Sequence, residues 1–208
     1  MTATTVWRRI GAAGIALGLA SFVATTILQW ILQSDSPTPG DAVNAHPALW
    51  TTASLLAVLG PLVWSAGVAA VTLQIRERGW VLTTIGGTLT GLGLVAGVGH
   101  LALYFGLFGD LASAGTDAAT VQAVSAADDA SAVSTVLLVL FLVGFSLGPI
   151  VQTAGLRRAR ALPVWVPVAA LVAAVANFVG GPVAGIVQLL ALLATFVPMA
   201  VLLLRRES

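Results

Sequence analysis

A chain of 208 residues that is 58% hydrophobic and only 8% charged has too few polar side chains to cover a soluble globule, so composition points to lipid as its solvent. It contains no Cys and no Lys, which removes disulfides, thiolate metal ligands, thiol nucleophiles and Schiff-base chemistry. A formal net charge of +1, with the Arg residues scattered over short segments, leaves no footprint for nucleic acid.

In chain order, Arg8 and Arg9 precede an apolar run at residues 10–32. A secretory leader has an apolar region of about 7–15 residues and then a small-residue cleavage site. This run is longer and leads into Gln33-Ser-Asp-Ser-Pro-Thr-Pro39, so it reads as a first membrane span. Further stretches free of Asp, Glu and Arg follow at 50–75, 80–108, 131–156, 161–179 and 182–204. A span needs about 20 apolar residues to cross roughly 30 Å of hydrocarbon. The predicted fold class is therefore all-α, a polytopic membrane bundle of six transmembrane helices forming one domain over residues 1–208. Helices are expected because lipid cannot satisfy free backbone groups and the runs lack the alternation of a barrel.

Two connections are long, 33–49 and 109–130. Within the second, the Ala-rich stretch 117–128 opens on an Asp and is expected to form a surface helix leading into span four. Gly180-Gly181-Pro182 is expected to be a tight turn that makes spans five and six an antiparallel hairpin.

Arg8, Arg9, Arg76, Arg78, Arg157, Arg158, Arg160, Arg205 and Arg206 all fall on one side of this arrangement, and the opposite loops contain none. The positive-inside rule places that side, with both termini, in the cytoplasm. Trp7, Trp80 and Trp165 would mark the inner interface and Trp30 and Trp50 the outer one, leaving Trp64 in mid-span. The Ala, Gly, Val and Arg bias suggests a GC-rich bacterial genome and hence a bacterial plasma membrane.

Span three is rich in Gly, with Gly87-x-x-x-Gly91 and Gly93-x-x-x-Gly97, and spans one and four carry Gly14-x-x-x-Gly18 and Gly144-x-x-x-Gly148. Small-residue faces of this kind let helix backbones approach closely inside a bundle. Leu59-Gly-Pro-Leu-Val-Trp-Ser-Ala-Gly67 echoes Leu147-Gly-Pro-Ile-Val-Gln-Thr-Ala-Gly155. The echo reads either as a duplicated helical hairpin or as chance recurrence of a Gly-Pro kink. Pro61 near mid-span and Pro149 close to the cytoplasmic end favour chance.

Few residues offer chemistry. His100 lies within a span, and Gly93, Gly97, His100 and Tyr104 share a helical face by i+3 and i+4 spacing. Gln29, His100, Asn177 and Gln188 fall at similar depth in the outer half, so with Tyr104 they are the candidate lining of an outward-opening cavity. The alternative is a set of separate interhelical hydrogen bonds. Asp110, Asp128, Asp129 and His46 are a weak candidate for a divalent-cation site at the rim, since their spacing matches no metal motif. Gly144-Phe-Ser-Leu-Gly148 fits the G-x-S-x-G pattern, but Ser146 and His100 differ in depth by roughly 15 Å at 1.5 Å per residue. A nucleophile and its base must lie within hydrogen-bond reach, so Ser146 reads as a small packing residue.

Three functions compete. The favoured one is a non-catalytic membrane module, of accessory, immunity or sensor type, acting through helix packing and its outer loops, with the bilayer and a membrane-protein partner or a second copy as its contacts. The second is a carrier or pore for a small neutral or lipid-like molecule. The third is an enzyme acting on a lipidic substrate through His100, Tyr104 and an outer Asp. No cofactor or metal is implied, and ion coupling is disfavoured because no span holds a carboxylate.

Overall fold

The computed structural model describes residues 3–36 and 38–205. They form α1 (Ala3–Asp35), α2 (Pro39–Ala45), α3 (Pro47–Thr72), α4 (Trp80–Ser113), α5 (Ala118–Asp129), α6 (Ala132–Arg158), α7 (Trp165–Val179) and α8 (Gly181–Arg205). Five of these, α1, α3, α4, α6 and α8, are long and apolar enough to cross a membrane. Arg206 lies outside the described residues.

The fifth expected span is shorter than the sequence suggests. The helix α7 has 15 residues, about 22 Å at 1.5 Å per residue, less than the thickness of a hydrocarbon core. Its start is delayed by the way α6 ends. Arg160 takes a left-handed φ of 60° while the Ala161 N–H donates to Leu156 O and the Arg160 N–H to Arg157 O, the Schellman pattern with Arg where Gly is usual. Pro163 then lacks an N–H, and helix resumes only at Trp165.

The most extensive packing joins α1 to α3 and α4 to α6; α3 joins these two pairs, and the α7–α8 hairpin closes onto α6 and α1. The two pairs share one register. A Cβ on Gly67 of α3 would lie 2.6 Å from Gly11 O of α1, and a Cβ on Gly155 of α6 would lie 2.9 Å from the O of Gly79, the residue that caps α4. Further along, Gly18 meets Trp64 and Gly86 meets Gln152. The echoed segments therefore occupy equivalent places in two similarly packed hairpins, and both Pro61 and Pro149 fall in the C-terminal halves of their helices, contrary to the expected difference in depth.

Arg8 at the start of α1 donates through Nε to Leu203 O near the end of α8, at 2.8 Å, Gly11 packs on Ala70 near the end of α3, and Arg76 and Arg78 lie beside Ala159 after α6, so the described Arg residues gather at one end of the bundle. The other end carries α2 and α5. The sequence reading missed α2, although Thr38-Pro39 announces it: the Thr38 hydroxyl caps the helix by accepting from the Asp41 N–H, with Pro at the first position. The helix α5 is where it was expected, capped by Asp117, whose carboxyl is held below its ordinary value by hydrogen bonds from the Thr120 hydroxyl and N–H.

Two apolar cores result. One, built around Ile15, Trp64, Leu156, Phe196 and Leu203, lies toward the Arg end. The other gathers Leu32, Val43, Trp50, Phe105, Phe108 and Val121 under α2 and α5. Trp50 is thus not an interface residue: it is 6% exposed, and its Nε1 donates to Phe105 O at 3.1 Å. Trp7, Trp30, Trp80 and Trp165 do lie on the surface.

Candidate ligand cavity

All six longer helices converge on a cavity of about 300 Å³ at the end of the bundle opposite the Arg residues. From α1 come Phe22, Thr25, Thr26, Gln29 and Trp30, because a step of three or four residues keeps this stripe on one helical face. Pro61 and Trp64 enter from α3, Leu94 and Leu101 from α4, and Phe141 and Phe145 from α6. The hairpin supplies Ala176, Asn177, Gly185 and Gln188. At Gly185 the Trp30 ring packs close to the backbone, where a Cβ would lie 2.9 Å from it. None of the lining residues carries a formal charge.

A chain of neutral polar groups crosses one wall. Gln188 donates through Nε2 to Asn177 Oδ1 at 2.8 Å, and Asn177 donates through Nδ2 to Ser146 Oγ at 3.5 Å. This joins α8, α7 and α6. In a low-dielectric interior such neutral bonds satisfy the amides without the cost of burying charge.

The floor is aromatic. Trp64, 0% exposed, meets the rings of Phe145 at 5.4 Å and Phe196 at 4.6 Å, both edge to face. Its Nε1–H finds no acceptor among the described residues, and Thr25 Oγ1, on a side chain 8% exposed, has no partner there either. Thr26 next to it instead donates to Phe22 O at 2.9 Å. A buried polar atom without a partner typically costs about 1–3 kcal/mol. Thr25 and Trp64 border the cavity, but Oγ1 and Nε1 present no surface to it: they are unsatisfied atoms within its wall.

Of the five candidate residues, Gln29, Asn177 and Gln188 line this cavity and His100 and Tyr104 do not, although Tyr104 shares a second cavity with Gln29. His100 is partly buried with its Nδ1 unpartnered among the described residues, but it does not line the cavity. Tyr104 packs against Trp50 and Phe108, at centroid separations of 6.0 and 5.1 Å, and lines a second cavity of about 250 Å³ beneath α2. Gln29 borders both cavities. The shared face of Gly93, Gly97, His100 and Tyr104 does not meet one neighbour, because α4 lies against α6 at Gly93 and against α3 where Tyr104 meets Trp50. At the rim, Asp110, Asp128, Asp129 and His46 are not assembled: among the described residues no three such groups converge, and Asp128 accepts from Ser134 Oγ at 2.6 Å.

Sequence reasoning missed Thr25 and Trp64. For Trp64 a signal existed, as it is the one Trp placed away from both interfaces. Gln152 was also missed: it is fully buried, donates to Thr72 Oγ1 at 3.0 Å and lies between helices rather than on the cavity. No family model matches the chain, and no characterised protein or solved structure is detectably similar to it.

Proposed function

We propose that this protein is a non-catalytic, multi-pass membrane module that binds one small neutral, hydrogen-bonding molecule in the cavity between Thr25, Gln29, Trp64, Asn177 and Gln188. The observation that carries this reading is a cavity of about 300 Å³, reached by all six longer helices, whose lining includes the amides of Gln29, Asn177 and Gln188 and no charged residue. A neutral hydrogen-bonding ligand suits this lining, whereas an ion would enter a site with no counter-charge. Catalysis has less support, because the groups capable of acid-base work, His100 and Tyr104, lie off the cavity. Under this reading the chain has six spans in a plasma membrane, the Arg end with both termini is cytoplasmic, and the cavity belongs to the outer leaflet. The helix α7 then completes a sixth crossing with its flanking residues, since the ends of α6 and α8 both lie at the Arg end.

A titration with a monoacylglycerol, followed by native mass spectrometry of the detergent-purified protein, tests the reading. A saturable one-to-one adduct is expected, weakened about tenfold in Gln188→Leu, the loss that corresponds to roughly 1.4 kcal/mol. Unsaturable adducts that are equal in both proteins would overturn it.

A further inference from the structure

A second opening adjoins the cavity. The outer-end halves of α7 and α8 leave a groove of about 520 Å³ between Leu171, Val175, Val179, Val183 and Val187, facing away from the core. Its walls are apolar, with exposures from 39% at Val187 to 77% at Val183, and in a bilayer the medium that meets them is hydrocarbon. The groove and the cavity share Ala176 and Gly180. Both shared residues are small, a methyl group on Ala176 and no side chain on Gly180. Gly180 and Gly181 take left-handed φ values of 71° and 83°, as the α7–α8 turn requires, and the position of a Cβ on either is open space.

We infer that the ligand is a lipid with an uncharged, hydrogen-bond-accepting headgroup, which enters sideways from the membrane and leaves its hydrocarbon chain in the α7–α8 groove. This rests on the cavity being a ligand site. The headgroup meets the amides of Gln29, Asn177 and Gln188. The chain never leaves an apolar medium, so only the small headgroup exchanges surroundings, and neutral hydrogen-bonding groups take up that exchange. A phosphate-bearing headgroup is disfavoured, because the described Arg residues lie at the opposite end of the bundle and neither cavity nor groove has a cation.

The test uses two photoreactive monoacylglycerols, one with a diazirine on the glycerol and one with a diazirine on the acyl chain, added to the full chain in phosphatidylcholine nanodiscs. Sites of attachment are mapped by peptide mass spectrometry. The glycerol probe is expected to label residues 22–30 and 185–188 saturably, with competition from unlabelled monoacylglycerol and none from phosphatidylglycerol. The chain probe is expected to concentrate on residues 171–187. Val183→Phe, at an exposed position where folding is not at risk, should reduce that labelling about tenfold. Saturable glycerol labelling with chain labelling spread over every lipid-facing helix would overturn the groove and leave the cavity site standing. Absence of saturable glycerol labelling would instead remove the ligand site itself. Equal competition by phosphatidylglycerol would overturn the uncharged headgroup.

Discussion

Gln188 of α8 donates its side-chain N–H to the Asn177 carbonyl oxygen of α7 across 2.8 Å, a bond that spans the turn at Gly180 and Gly181 and sits on the cavity wall. Hydrogen bonds between membrane helices average under 1 kcal/mol, because the unfolded chain in lipid finds other partners. Gln188→Leu is therefore expected to lower stability by about 1 kcal/mol. A double-mutant cycle with Asn177→Leu, read by thermal unfolding in detergent, should give a coupling of similar size. Strict additivity would show that the bond contributes nothing.

Thr25 separates stability from binding. Its hydroxyl is buried and unpartnered among the described residues, so the nearly isosteric Thr25→Val removes a desolvated polar atom without leaving a cavity. The ligand-free protein should become more stable by about 1 kcal/mol and bind monoacylglycerol unchanged, since the hydroxyl presents no surface to the cavity. Thermal shift with and without ligand measures both quantities on one sample. Destabilisation of the free protein would mean that the hydroxyl has a partner in the folded state.

Continuous apolar runs carry most of the fold in the sequence, because lipid leaves the backbone no alternative to helix. What they hide is the end of each helix. The sequence places no boundary at residues 161–164, where the Schellman closure at Arg160 and the missing N–H of Pro163 delay α7, and it gives no apolar stripe for α2, whose mark is the Thr38-Pro39 cap. Depth is legible by counting from the helix ends, and that count selected Gln29, Asn177 and Gln188. Azimuth is not: His100 stands at a suitable depth but off the cavity, since which side of α4 faces which neighbour depends on how the helices pack. Thr25 escaped because a Thr in a helix ordinarily satisfies itself on the preceding turn, as Thr26 does with Phe22 O.

The close approach of α4 to α6 predicts unequal responses of two neighbouring glycines. A Cβ on Gly93 would lie 2.6 Å from Phe145 N and 3.0 Å from Gly144 Cα, which are backbone atoms that can yield only if the helices separate. On Gly91 it would meet nothing within 4 Å. Gly93→Ala should cost about 1–3 kcal/mol, as overpacking usually does. Gly91→Ala should be neutral or stabilising, because Ala is the better helix former. Equal melting temperatures would deny the contact.

Orientation can be tested cleanly because the chain has no Cys of its own. Ser113, at the end of α4, and Glu77, in the α3–α4 connection, are both exposed and lie at opposite ends of the bundle. Ser113→Cys should react with a membrane-impermeant maleimide added to intact cells, while Glu77→Cys should react only after lysis. The reverse pattern would invert the topology, and with it the leaflet to which the cavity opens.

His100 separates a binding module from an enzyme. Had its imidazole been bonded to a neighbouring helix, His100→Leu would strand a buried partner and be the more damaging substitution. Instead Nδ1 is buried without a partner among the described residues, so His100→Leu removes an unsatisfied atom rather than breaking a bond. Both His100→Leu and His100→Gln are then expected to fold, to melt within about 1 kcal/mol of the parent, and to bind monoacylglycerol unchanged. Acid-base chemistry at His100 predicts something different: folded protein, intact binding and loss of the cellular phenotype in both variants. Complementation of a deletion strain, with membrane abundance measured in parallel, distinguishes the two. A stable, ligand-binding His100→Gln protein that fails to complement would sink the non-catalytic reading.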